Sequence, residues 1–182
     1  MKEKKLVGLY GNLFNLLDNT TVMIQLYKPQ KNSTGCAFAF RLGTTGKFKD
    51  PCLYVNAIMQ HSWDEKTKNG SFAENAKNPE KTVVIKLNEF EVGGIINAIE
   101  NYSEYKAFHS HETNKTSISF KPYQKNDGTK AFSFSITKNS ALKFGIGIEP
   151  GEAYAIREFC KVILQKLYET RSNAQMQNRS DD

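Results

Sequence analysis

The sequence predicts an α+β fold of two similar halves, each a run of short alternating strands closed by one amphipathic helix. Three observations predict it. Apolar and polar residues alternate with period two along several short segments, and helical spacing follows Leu87 and again Ile148. Positive charge sits on the strand segments rather than on the helices. Residues 1–87 carry 13 Lys/Arg against 7 Asp/Glu, a net of +6, while residues 88–182 carry 12 of each. Within the second half the strand region 105–148 still holds 7 basic against 2 acidic residues, a net of +5.

Residues 21–27 alternate, with Val22, Ile24 and Leu26 on one face and Met23, Gln25 and Tyr27 on the other. Lys28-Pro29 stops that strand. Residues 36–42 alternate again, Cys36, Phe38, Phe40 and Leu42 against Ala37, Ala39 and Arg41, before the turn Gly43-Thr44-Thr45-Gly46. Residues 53–59 form a third strand and 82–87 a fourth, nearly continuous in apolar residues. The connection between them, 60–81, is polar and holds the only tryptophan, Trp63. A connection of that length inside a compact domain is expected to be functional or disordered. Asn88 with Glu91 makes a capping-box start for a helix whose apolar positions are Val92, Ile95, Ile96 and Ile99. Gly93-Gly94 costs that helix about 1 kcal/mol per glycine, so close packing on a sheet has to compensate.

The second half repeats the plan. Strands are expected at 105–111, 116–121, 131–137 and 142–148, with Asp127-Gly128 as a hairpin turn. Phe132, Phe134 and Ile136 face one way, and Ser133, Ser135 and Thr137 the other. Pro150 fits a first helical turn. Ile156, Phe159, Cys160, Ile163, Leu164 and Leu167 then make a stripe at helical spacing, ending near Tyr168. Residues 1–170 read as a single domain with halves at about 21–101 and 105–168, and 171–182 as a disordered polar tail. Leu13, Phe14, Leu16 and Leu17 fit a short helix or a strand edge.

The totals narrow the class of function. The chain has 182 residues, enough for one real core, and no apolar run long enough to span a membrane. Leu6 to Tyr10 is too short for a signal segment, so a mature cytoplasmic chain is expected. Cys36, Cys52 and Cys160 are an odd number without a CxxC pair and read as small buried hydrophobes. His109 and His111 share a strand face but lack a third ligand at metal-site spacing. Asp64-Glu65 has no further acid to complete a nuclease pair. No phosphate loop, Ser/His/Asp set or reactive Cys/His pattern occurs, so no enzyme, metal or cofactor is expected. A one-sided basic field suits a polyanion.

The ordered series of motifs resembles the Whirly family of single-stranded-DNA-binding proteins. The stretch from Val84 to Ile96 resembles the family's strand-to-helix pattern, with Glu91-Val92-Gly93 in place. Ala107-Phe108-His109-Ser110, then Ile118-Ser119-Phe120-Lys121-Pro122, then Asp127-Gly128 followed by Phe132-Ser133-Phe134-Ser135-Ile136, resemble three further segments in order. The likeness covers roughly residues 82–168 and extends more loosely back to Thr21. The family's Lys-Gly-Lys-Ala-Ala-Leu element is absent, its place held by Thr21-Val22-Met23-Ile24-Gln25-Leu26. With no organellar transit peptide visible, a prokaryotic or phage relative is expected, in the host cytoplasm if viral. The resemblance implies two antiparallel four-stranded sheets packed roughly perpendicular, with helices joining subunits, a tetramer favoured. It also implies single-stranded DNA bound with little sequence preference, for replication, recombination or repair.

Lysines would supply the salt-dependent phosphate term and aromatic rings the stacking. The aromatic candidates are Tyr27, Tyr54 and Trp63, with Phe48 and Tyr123 behind them. The phosphate candidates are Lys28, Lys31, Arg41, Lys47, Lys49, Lys86, Lys121 and Lys143. The alternative functions are an RNA-binding matchmaker or a transcriptional coactivator of the same fold group, and an assembly protein without nucleic acid. A five-stranded OB barrel fits poorly, because about eight strands are expected. Asp181-Asp182 resembles the acidic tips of bacterial single-strand binders but lacks their terminal aromatic residue.

Overall fold

The structure, a computed structural model, describes residues 22–47 and 49–180. The first half comprises β1 (Met23–Lys28), β2 (Cys36–Thr45), β3 (Asp50–Met59), a small hairpin of β4 (Ser62–Asp64) and β5 (Asn69–Ser71), β6 (Thr82–Leu87) and α1 (Glu89–Glu100). The second half comprises β7 (Tyr105–His111), β8 (Asn114–Gln124), β9 (Lys130–Lys138), β10 (Leu142–Ile148) and α2 (Pro150–Ser180). Sheet 1 has the order β1-β2-β3-β6 and sheet 2 the order β10-β9-β8-β7, antiparallel throughout. The expected pair of four-stranded antiparallel sheets, each followed by a helix, is what forms.

The alternation decides which side of each sheet is buried. Cys36, Phe38 and Phe40 of β2, and Phe132, Phe134 and Ile136 of β9, turn inward into one continuous core. Phe134 joins the sheets: its ring centroid lies 5.5 Å from Phe38, 5.7 Å from Phe40 and 5.8 Å from Phe120. The helices close the core with Val92, Ile95 and Ala98 from α1 and Ile156, Phe159, Cys160 and Ile163 from α2. All three cysteines are free and buried, and burial pushes the Cys160 thiol up to about 12. Pro122 is tolerated within β8 because β7 pairs with β8 only as far as Phe120. Beyond that residue one side of β8 is open, and a missing N–H leaves no gap in a ladder.

α1 starts as its capping box requires. Asn88 Oδ1 accepts from the Phe90 and Glu91 amides at 2.9 and 3.0 Å, and Glu91 Oε2 accepts from the Asn88 amide at 2.9 Å. The two helix glycines have different reasons. A Cβ on Gly94 would run into the Tyr105 ring, whereas one on Gly93 would meet nothing within 4 Å. Gly93→Ala is therefore expected to stabilise the fold by up to about 1 kcal/mol, and Gly94→Ala to destabilise it. Thermal melts of the two variants check the opposite signs.

Two features differ from the sequence reading. First, α2 does not end near Tyr168 in a disordered tail but runs on to Ser180. Residues 169–180 contain no Gly or Pro to stop it. Arg171 also ties it down, reaching Glu89 at 2.9 Å and Asp50 at 3.4 Å. That pairing holds the Glu89 carboxyl below the usual glutamate range. Second, the 60–81 connection is folded. Besides the β4–β5 hairpin it carries a single 3-10 turn, Ala73–Asn75. It also lays Phe72 on Ala37, Ala39 and Ile58 as a second, smaller core on the outer side of sheet 1. Residues Leu13 to Leu17, Phe48 and Asp181-Asp182 lie outside the described residues.

Gln60 organises this end of the molecule and is 5% exposed. Its Oε1 accepts from the Gln30 and Gly35 amides at 2.7 and 3.1 Å. Its Nε2 donates to the Gln30 and Ser62 carbonyls at 3.0 and 2.9 Å. One side chain thus fixes the β1–β2 connection against the start of the hairpin, and with it the position of Lys28 and Gln30.

Candidate nucleic-acid interface

The sequence candidates fall into four places. Lys28, Lys121 and Tyr123 come together, although they belong to different halves of the chain. They rim an open groove of about 510 Å³ on the outer face of sheet 2, with Gln30 beside Lys28. The groove's floor follows from strand register. Gly145 faces Ser135 and Gly147 faces Ser133 across the β10–β9 ladder, so no outward side chain there is larger than serine. Tyr123 leans over that floor, and a Cβ on Gly147 would stand 3.0 Å from its hydroxyl. Lys28 is ion-paired, its Nζ 2.5 Å from Glu152 Oε1. Lys121 is exposed and leaves the groove rim positive.

The same outer face continues away from the groove. The next rows in register are Gly145–Ser135–Ser119–Lys106 and Lys143–Thr137–Ser117–Phe108. Lys143 therefore shares the face, at its far end. Phe108 is 61% exposed here and was not among the sequence candidates. Its signal was available: with Tyr105, Ala107 and His109 turned inward, alternation leaves Phe108 outside among lysines and serines. His109 Nε2 lies 2.5 Å from Glu91 Oε1, so this histidine links β7 to the α1 cap.

Arg41, Tyr54 and Lys86 form the second place. They are opposite one another across β2, β3 and β6 on the outer face of sheet 1. The Arg41 guanidinium carbon is 4.9 Å from the Tyr54 ring centroid. The edge of the ring abuts Gly43, where a Cβ would meet it at 2.5 Å. Burial, with the neighbouring Cys52, pushes the Tyr54 hydroxyl above its usual pKa. Lys86 Nζ reaches Thr45 Oγ1 at 3.2 Å.

Lys47 and Lys49 occupy the third place, the β2–β3 turn, where Gly46 and Lys49 take φ of +71° and +53°. The fourth is the β4–β5 hairpin. Trp63 is half-buried there opposite Gly70, and Lys31 pairs with Glu65 at 3.2 Å. Tyr27 joins none of these groups. It packs edge-on against Phe72, with ring centroids 5.9 Å apart, as part of the smaller core.

No protein-family model matches the sequence, and no curated protein does. Among solved structures, the chain is similar to WHY1 from Arabidopsis thaliana, with a TM-score of 0.61 and 12% sequence identity. The likeness covers 90% of this chain and 94% of that one, so it spans both halves and not only the second, where the sequence motifs were densest. The chain has a Whirly-like fold.

Proposed function

We propose that this protein binds single-stranded nucleic acid with little sequence preference, and that its main track is the groove on the outer face of sheet 2. The observation that carries the reading is that floor of glycine and serine between Lys121, Tyr123 and Lys28. A floor without bulk lets a flat base and its sugar approach the sheet backbone. Lysines at the rim take phosphates, and a ring such as Tyr123 or Phe108 offers a stacking surface. The outward positions of sheet 2 carry no carboxylate, so nothing on the strands repels a phosphate chain. In the biological setting we favour single-stranded DNA during replication, recombination or repair, in the cytoplasm. The reading assigns the chain no catalytic step and no cofactor.

Gly145 supplies a clean test. A Cβ there meets only Phe134 O at 3.8 Å and Ser135 Cβ at 3.9 Å, so a side chain fits the fold but stands in the groove. Gly145→Leu is expected to keep the melting temperature and to weaken poly-dT binding at least ~10-fold, the loss of about one stacked base. Fluorescence titration with poly-dT and with duplex of equal length is the measurement. Equal or absent binding to both by the unaltered protein would sink the proposal. The hydroxyls of Ser117, Ser119, Ser133, Ser135 and Thr137 also suit a ribose 2′-OH. Competition between dT and U oligomers separates a DNA preference from an RNA one.

The helices support self-association. Phe90 on α1 is 82% exposed, and Tyr154, Val162 and Tyr168 on α2 are 58%, 45% and 55% exposed. Such side chains offer apolar surface that a second copy would cover. We favour a homo-oligomer joined through these helices, a tetramer first, and light scattering of the purified chain reads its mass.

A further inference from the structure

Two polar atoms on sheet 1 are buried and have no partner: Oδ1 of Asn56 and Nε of Arg41. Asn56 is only 4% exposed. An unpaired buried acceptor or donor destabilises a fold, and native structures retain few of them. These two are complementary, one accepting and one donating. They are also neighbours. Arg41 faces Tyr54 in the β2–β3 ladder and Asn56 faces Ala39, which places the two residues on adjacent rows of the same outer face, diagonal to each other.

Their surroundings are specific. Beside Arg41 lies the Tyr54 ring, its Cδ2–Cε2 edge against Gly43. Across from Asn56 on β6 is Val84, an apolar side chain 56% exposed. Lys86 completes the Arg41–Tyr54 row, which carries two cations and no acid. The site thus offers an aromatic platform, an apolar wall, a hydrogen-bond acceptor, a donor and positive charge.

We propose that this is a nucleobase site. An unpaired base stacks on Tyr54 and turns its hydrogen-bonding edge toward the sheet, giving an N–H to Asn56 Oδ1 and an oxo or ring-nitrogen acceptor to Arg41 Nε. Every base carries such a donor next to such an acceptor, so the site selects an unpaired edge rather than one base. A phosphate would pair with Arg41 but leave the Asn56 acceptor unpaired, whereas a base satisfies both. A duplex does not fit, because its bases are stacked on one another and offer no free face to Tyr54. Arg41 has no carboxylate partner among the described residues, so no ion pair competes with the base for its Nε. The inference rests on the single-strand reading but concerns the outer face of sheet 1, none of whose site residues lines the groove on sheet 2.

The experiment compares a dT oligomer with an abasic oligomer of equal length and charge, by fluorescence titration. The unaltered protein should bind dT at least ~10-fold tighter. Asn56→Leu, nearly isosteric and apolar, should raise the melting temperature, because it removes an unpaired buried acceptor. It should also cut the dT-to-abasic ratio ~5-fold or more with abasic affinity unchanged. Arg41→Lys keeps the charge, removes Nε, and should cut the ratio in the same way, so the test survives if the first variant folds poorly. A ratio unchanged in both variants overturns the base site. So does a change in molar mass on Asn56→Leu, which would make this face a contact between copies. If Gly145→Leu alone abolishes the ratio, the bases are read in the groove and the inference fails while the single-strand reading stands. No binding of either oligomer by the unaltered protein removes both.

Discussion

Phe134→Ala is expected to cost about 3–5 kcal/mol of folding free energy. The ring is fully buried and, among the described residues, is the one that touches aromatic rings of both sheets, Phe38 and Phe40 on one and Phe120 on the other. Truncation leaves a cavity at the seam, and three rigid rings cannot collapse into it. A domain of this size has about 5–15 kcal/mol in total, so the variant would stand near the threshold of folding. Urea unfolding reads the change as a lower midpoint at similar slope. A loss under about 1 kcal/mol would mean that the sheets are not held together at this point.

Gln60→Leu is the second large effect, about 2–4 kcal/mol. The leucine fills the volume but orphans two amides and two carbonyls that Gln60 now satisfies, at a site where little water enters. Gln60→Glu keeps the acceptor but turns an oxygen toward the Gln30 and Ser62 carbonyls, so it should destabilise the fold as well. Because Gln30 and Lys28 rim the groove, Gln60→Leu should also weaken poly-dT binding, whereas Phe134→Ala should not until the protein begins to unfold. Urea curves and titrations on the same preparations separate the two behaviours. Equal stability of Gln60→Leu and the unaltered chain would show that water replaces all four bonds.

The reach of the sequence can be judged from these residues. Phe38, Phe40, Phe132 and Phe134 were assignable to the core because alternation fixes which face of a strand a side chain takes. The start of α1 was legible because Asn88 and Glu91 interact with their own backbone neighbours. Alternation says nothing about what covers a face, so Tyr27 was read as a stacking platform although Phe72 packs on it. The same limit hides ion pairs: Lys28 meets Glu152 from 124 positions away. The groove was half legible. Its hydroxylated floor was visible in Ser133 and Ser135, but the approach of Lys28 and Gln30 depends on Gln60, a polar residue with no local pattern. The continuation of α2 past Glu169 was missed for a related reason. Its anchor, Arg171, pairs with acids on β3 and at the start of α1, neither of them near in sequence.

The strand order has a further consequence, for the time at which each sheet can close. Sheet 2 is a simple meander whose links are residues 112–113, 125–129 and 139–141, so every pairing is between consecutive strands. Sheet 1 needs β6 to return to β3 across residues 60–81. By loop-closure entropy that one return costs about 2 kcal/mol more than a tight hairpin link. Sheet 1 is also the part a ribosome releases first. A nascent chain therefore presents the slower sheet before the faster one exists, with the β3 edge open and the Phe38 and Phe40 rings still waiting for Phe134.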